Sequence, residues 1–131
     1  MQLTLYTDYS LRVLLYLAMH RDRLVTISEV TEAYDVSRNH MVKVVHNLGQ
    51  LGLIQTIRGK SGGMRLARDP EEIIVGEVVQ QTEPHINLLE CFDKETNTCP
   101  LINACKLKHL LFQARRGFFD VLNQKTLADM L

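Results

Sequence analysis

No run in this sequence approaches the roughly 18 apolar residues of a membrane-crossing helix, and Arg12 interrupts the first apolar segment. The opening residues are acid-containing and regularly patterned, unlike a secretory signal. Internal repeats and low-complexity tracts are absent. No ordered Ser/His/Asp or Cys/His arrangement stands out, so the residues do not suggest an enzyme. Net charge is zero, with 15 basic and 15 acidic side chains, and excludes no partner. The three cysteines are an odd number, which argues against a secreted disulfide framework and for a thiol or metal role in the cytoplasm. At 131 residues the chain has room for one cored domain and a helical extension.

What is present is unevenly placed. Residues 1–68 carry nine basic and five acidic side chains, so residues 69–131 carry the opposing negative charge. Between Val36 and Arg68 stand six basic residues and no acid. A stretch of one sign suits a polyanion, and equally an ordinary solvated face. Charge alone does not choose between them.

Periodicity predicts a mainly α protein with a small β-hairpin. A first helix is expected over 8–20, with Leu11, Leu14, Leu15 and Ala18 on one face and Thr7 as its cap. Thr26-Ile27-Ser28-Glu29 has capping-box spacing and opens a second helix ending near Tyr34. Ile27, Val30 and Ala33 are expected to pack on the first helix. After the tight Asp35-Val36 connection, Ser37 caps a third helix whose apolar positions Met41, Val44, Val45, Leu48 and Leu51 keep helical rhythm to Gly52. Strand-like pieces at Leu53–Ile57 and Met64–Ala67 flank the glycine-rich turn Arg58-Gly59-Lys60-Ser61-Gly62-Gly63. A fourth helix should end by Pro84. Periodicity fades from His85 to Pro100 and returns after Leu101 as a long helix with Leu107, Leu110, Leu111, Ala114 and Phe118 on one face. Gln124 to Leu131 opens another helix-like piece that stops abruptly.

Two short helices joined by a tight turn and followed by a basic hairpin make a winged helix-turn-helix. The expected organisation is a DNA-binding domain over 1–84, a cysteine-bearing loop over 85–105, and a long dimerisation helix with the start of a C-terminal helix over 101–131. Packing of the third helix leaves Ser37, Arg38, Asn39, His40, Lys43, Asn47 and Gln50 outward. Asn39 and Gln50 can make paired hydrogen bonds to adenine, and Arg38 can meet guanine or phosphate. His40 and His46 are read as polar surface groups rather than catalysts. In the turn, Arg58 and Lys60 bring charge, Gly62 lets the backbone approach a sugar–phosphate rail, and Ser61 between them is expected at the DNA too. Gly59-Lys60-Ser61 is not a nucleotide-binding P-loop, because the earlier glycine and the following helix are missing.

Cys91, Cys99 and Cys105 are separated by seven and five residues, too far apart for a Cys-x-x-Cys redox pair. Three thiols in one loop can wrap zinc, copper(I) or an iron–sulfur centre, or can be free buried cysteines. Cys105 opens the long helix, where the dipole and free amides favour a thiolate. Zinc and iron–sulfur centres both ordinarily use four ligands. From the residues alone the fourth is open among His85, Glu90, Asp93, His109, solvent and another subunit.

The ordered motifs Met1-Gln2-Leu3-Thr4 through Thr7-Asp8-Tyr9, Ile27-Ser28-Glu29-Val30, Ser37-Arg38-Asn39-His40-Met41-Val42-Lys43, Arg58 to Gly63, the three cysteines and Thr126-Leu127-Ala128-Asp129 span the chain. In them the sequence resembles the NsrR/IscR-type family of winged-helix regulators, and within it the nitric-oxide-sensing repressors. The resemblance implies a homodimer that represses transcription on inverted-repeat operator DNA and releases it when nitric oxide attacks a cluster. It implies a [4Fe-4S] cluster before a [2Fe-2S] one, with Asp8 of the opposite subunit joining Cys91, Cys99 and Cys105. A regulator of the same family that senses redox state, iron supply or zinc is the alternative. The Cys91–Cys99 gap is longer than usual for the family. Lys108 stands where IscR-type proteins place a histidine ligand, and His109 is one residue too late, which favours the nitric-oxide-sensing type.

Overall fold

A computed structural model describes residues 1–101 and 103–131. Ile102, inside the range expected for the dimerisation segment, lies outside the described residues. Among the described residues, five α-helices and one two-stranded antiparallel sheet follow in the order α1 (Leu5–Met19), α2 (Ile27–Tyr34), α3 (Arg38–Gln50), β1 (Ile54–Ile57), β2 (Gly63–Leu66), α4 (Val75–Thr82) and α5 (Lys106–Leu122).

Helix α1 begins earlier than its periodicity suggests. Thr4, not Thr7, is the cap, its side chain accepting the Thr7 amide at 3.3 Å. Thr7 is itself fully buried one turn in. Val13, Leu14 and Leu17 form the buried stripe, and α1 packs on both α3 and α4. Each such side chain contributes about 1.5–3 kcal/mol of burial.

The helix-turn-helix is set by local chemistry. Thr26 and Glu29 complete a reciprocal capping box at the start of α2. Asp35 ends α2 with φ 52°, a left-handed conformation that a short polar side chain tolerates. Val30 is fully buried, Ile27 half-buried, and Ala33 exposed, so α2 offers the core a narrower face than its composition suggests. Met41, Val44, Val45 and Leu48 bury the inner face of α3. Ser37 precedes α3 without making a side-chain cap bond.

The hairpin pairs Ile54 with Leu66 and Ile57 with Gly63. Val25 adds a bridge on its other side, exchanging both backbone bonds with Met64 at 3.0 and 2.8 Å. A side chain at Gly63 would meet the Val25 carbonyl at 2.8 Å, so glycine there permits this close approach.

After α5 the chain returns to the domain. Thr126 bridges Ile74, the Val75 amide donates to Lys125, and Leu127 is buried at 1% exposure. The expected terminal helix is only a single 3-10 turn, Ala128–Met130, closed by Asp129 accepting the Thr126 amide at 2.8 Å.

Candidate nucleic-acid interface and thiol segment

Helix α3 is divided by its own periodicity. Opposite the buried stripe, Arg38, Asn39, His40, Lys43, His46 and Gln50 are exposed, and Ser37 just before them is exposed too. Asn47 is half-buried. Arg38 is directed toward α2, where Nη1 donates to Ser28 Oγ at 2.9 Å. The hairpin supplies a second exposed element. Arg58, Lys60 and Ser61 are exposed at its tip, and Gly62 is partly covered because its amide donates to Gly59 O at 3.0 Å. Gly59 has φ 112°, and a side chain at Gly62 would collide with the Ile57 carbonyl, so the tight turn needs both glycines.

Ion pairing distinguishes this basic stretch from an ordinary mixed surface. Among the described residues the three ion pairs are Arg12–Asp8, Arg21–Asp69 and Arg23–Glu29. All use arginines from the first helix and the segment after it. None of the six basic residues from Arg38 to Arg68 pairs with an acid. Arg65 and Arg68 donate instead to Gln55 Oε1 and the Glu72 carbonyl.

The thiols lie in a segment with little regular structure. Cys91 is buried in a 3-10 turn over Glu90–Phe92, while Cys99 and Cys105 are half-buried, and all three are free. Glu90 Oε1 accepts both the amide and the hydroxyl of Thr98 at 2.7 Å. That pair of bonds closes the long stretch between the first two cysteines. It also holds the Glu90 carboxyl below its ordinary range, the hydroxyl bond first and the amide bond next. Cys105 occupies the N-cap of α5, its Sγ accepting the Lys108 amide at 3.4 Å.

Phe92, next to Cys91, lies parallel to Phe112 of α5 at 4.1 Å between ring centroids. The Arg115 guanidinium sits within 5 Å of both rings and donates to the Ile86 carbonyl at 3.0 Å. This cluster anchors the thiol segment to α5, and sequence reasoning missed it. The only local signal was Phe112 and Arg115 standing three residues apart on one helix face.

Donor chemistry fits a sulfur-bound iron centre: three free thiols in one segment, one of them at a helix N-terminus with an amide directed at its sulfur. Among the described residues, no three His, Cys, Asp or Glu side chains are grouped as a metal site within one chain. Asp8 lies apart on α1, paired with Arg12. His109, Asp93 and His85 are not gathered with the thiols in such a group. No helix among the described residues is long and apolar enough to cross a membrane.

Comparison with known proteins supplies the context. The family described as Rrf2, iron-dependent transcriptional regulator, matches residues 3–131. The chain is 54% identical to the HTH-type transcriptional regulator NsrR of Shouchella clausii, covering all of this chain and 89% of that protein. It is 49% identical to the Bacillus subtilis regulator of the same name, covering all of this chain and 90% of the relative. The solved structure of T. potens IscR superposes with a TM-score of 0.80 at 23% identity, over 99% of this chain and 85% of that one. The chain belongs to the Rrf2 family of transcriptional regulators and, like them, is a regulator rather than an enzyme.

Proposed function

We propose that this regulator is a nitric-oxide-sensitive repressor that binds an inverted-repeat operator as a homodimer while an iron–sulfur cluster is in place. The observation that carries the DNA-binding half is the basic surface of α3 and the hairpin tip: among the described residues, Arg38, Lys43, Arg58 and Lys60 form no ion pair with an acid. Asn39, His40 and Gln50 stand on the same outward face of α3 as the base-reading groups. Ser37, Ser61 and Gly62 line the backbone-contacting edges of α3 and wing.

Cys91, Cys99 and Cys105 would hold the cluster, with Asp8 of the partner subunit as the fourth ligand. A [4Fe-4S] centre is favoured and a [2Fe-2S] centre is the other form. Such a centre supplies iron that nitric oxide can attack, which is the chemistry of the signal. The chain's own residues do the rest. Phe92 and Arg115 keep the Cys91 turn on α5, and Cys105 begins that helix. Asp8 sits on α1, which packs directly against α3. A link from the thiol segment of one subunit to Asp8 of the other would therefore fix the separation of two α3 helices. That separation must match half-sites about one helical turn apart. A difference of roughly 1.4 kcal/mol between linked and unlinked dimers changes affinity tenfold.

The test is operator binding by anaerobically prepared protein before and after stoichiometric nitric oxide. Release of the duplex is expected; unchanged affinity defeats the sensing claim. Iron and sulfide analysis of the same sample separates this reading from a zinc-bound relative.

A further inference from the structure

The outward face of α3 holds one side chain unlike its neighbours. Val42 is 44% exposed, amid exposed Arg38, Asn39, Lys43, His46 and Gln50. At about 100° per residue it falls between Arg38 and His46, about 60° round the helix from Val45 at the edge of the buried stripe. A β-branched side chain is stiff in a helix, so neither helix propensity nor solubility favours valine at this half-open position.

Its neighbours leave nearly half of it open. Arg38, one turn earlier, has its guanidinium engaged by Ser28 Oγ at 2.9 Å on α2. Gly49, two turns later on the same line, is exposed, and a Cβ built there would meet nothing within 4 Å. It has no positive φ, unlike Gly52 and Gly59. Among the described residues, no contact and no backbone strain calls for glycine at 49. One edge of α3 thus presents an open aliphatic branch followed by bare backbone.

We propose that Val42 recognises the C5-methyl group of a thymine in the major groove, making it a determinant of operator sequence. Gly49 leaves room beside it for the sugar–phosphate rail. The thymine methyl is the apolar feature of the major-groove base edges, and an aliphatic side chain recognises it by contact. Asn39 and Gln50 read hydrogen-bonding edges, whereas Val42 reads shape and apolarity, so thymine and cytosine are told apart at its position. The inference rests on the DNA-binding reading above.

The experiment uses the full chain with its cluster, prepared anaerobically. A palindromic duplex is selected from a random-sequence library, and each thymine of the half-sites is replaced symmetrically by deoxyuridine, which removes only the methyl. One thymine position should weaken binding about fourfold per half-site, roughly 15-fold for the symmetric duplex, the worth of one buried methyl. Val42→Ala should bind the parent duplex weaker by a similar factor and become indifferent to uracil at that position. Val42→Thr, which keeps one methyl, should retain part of the discrimination. Wild-type protein insensitive to uracil at every thymine overturns the proposal. So does Val42→Ala that keeps the wild-type sensitivity. A chain that selects no sequence and shows no salt-dependent duplex binding overturns the DNA-binding reading itself, and this proposal with it. Because Val42 is exposed, its replacement leaves the core intact.

Discussion

Asp8 and Arg12, one turn apart on α1, clasp each other through both carboxylate oxygens: Nε donates to Oδ1 at 3.0 Å and Nη2 to Oδ2 at 2.8 Å. Arg12 also lies over the Tyr9 and Tyr34 rings at 5.8 and 5.7 Å, so the arginine is positioned from two sides. Both partners are about 40% exposed, where an ion pair adds little to stability. Asp8→Ala should therefore leave thermal unfolding almost unchanged. If it is the proposed ligand of the partner's cluster, however, Asp8 should matter for iron retention. Iron and sulfide per chain, measured after anaerobic desalting, should fall in Asp8→Ala. Full retention removes Asp8 from the ligand set.

The three thiols should differ in what their removal costs. Cys99 is half-buried at the far end of the loop closed by Glu90 and Thr98. Cys99→Ala should abolish the cluster and sequence-specific binding while leaving a folded dimer. Cys91 is 9% exposed, so Cys91→Ser also places a hydroxyl in a nearly dry turn, at a cost of about 1–3 kcal/mol. Anaerobic absorption spectra should show both variants without cluster, and melting curves should separate them. A Cys99→Ala protein that holds operator as tightly as the parent contradicts the coupling of cluster to DNA.

Features governed by neighbours in sequence were legible before the structure was known. The capping box of Thr26 and Glu29, the buried stripe of α3 and the turn between Arg58 and Gly63 each depend on residues within a few positions of one another. Ala33 shows the limit: its helical phase matches the core, yet α2 is eight residues long and buries only Val30. Long-range pairings left no comparable mark. The bridges of Val25 to Met64 and Ile74 to Thr126 use backbone groups that every residue carries. The Phe92–Phe112–Arg115 cluster depends on a loop folding onto a helix. The thiol spacing suggested a metal or cluster site, with free cysteines as the alternative, but carried no information on how the sulfurs are held apart or together.

Lys60 at the hairpin tip offers a quantitative test of the wing. It is exposed and, among the described residues, pairs with no acid. Lys60→Ala should weaken binding to all duplexes alike, because a phosphate contact carries no sequence information. Each lost contact should flatten the slope of log affinity against log salt by about 0.9, or about 1.8 for a dimer with two wings. Fluorescence anisotropy across a salt series measures it. An unchanged slope places Lys60 away from the duplex.

Glu83 ties the N-terminus to the end of α4. Its Oε1 accepts the Thr4 amide at 2.7 Å and the Thr4 hydroxyl at 2.9 Å. Burial pushes this carboxyl up, but hydrogen bonds from Thr7 and Thr4 outweigh burial and hold it below the ordinary range. A carboxyl lowered on folding stabilises the folded state fully above its unfolded value and loses that contribution as pH falls through its folded value. Wild-type protein should therefore lose melting temperature on acidification in part through Glu83, and Glu83→Gln should show a shallower decline. Parallel acid profiles for the two proteins assign the loss to other carboxyls.

Helix α5 presents an apolar face that its own chain does not bury. None of its residues is buried, and Leu107, Leu110 and Val121 are 55%, 59% and 65% exposed. In the proposed dimer this face packs against the second copy, burying side chains that each return about 1.5–3 kcal/mol on full burial. Leu110→Glu should leave the monomer fold intact, because the side chain touches no core, but should place two carboxylates at the subunit contact. Sedimentation equilibrium should then show a shift toward monomer, with helical content unchanged by circular dichroism. Operator affinity should fall with dimer content and recover partly as protein concentration is raised, since two linked readers are needed for two half-sites. A Leu110→Glu protein that remains dimeric at low concentration places the subunit contact elsewhere and breaks the route from the thiol segment to the spacing of the α3 helices.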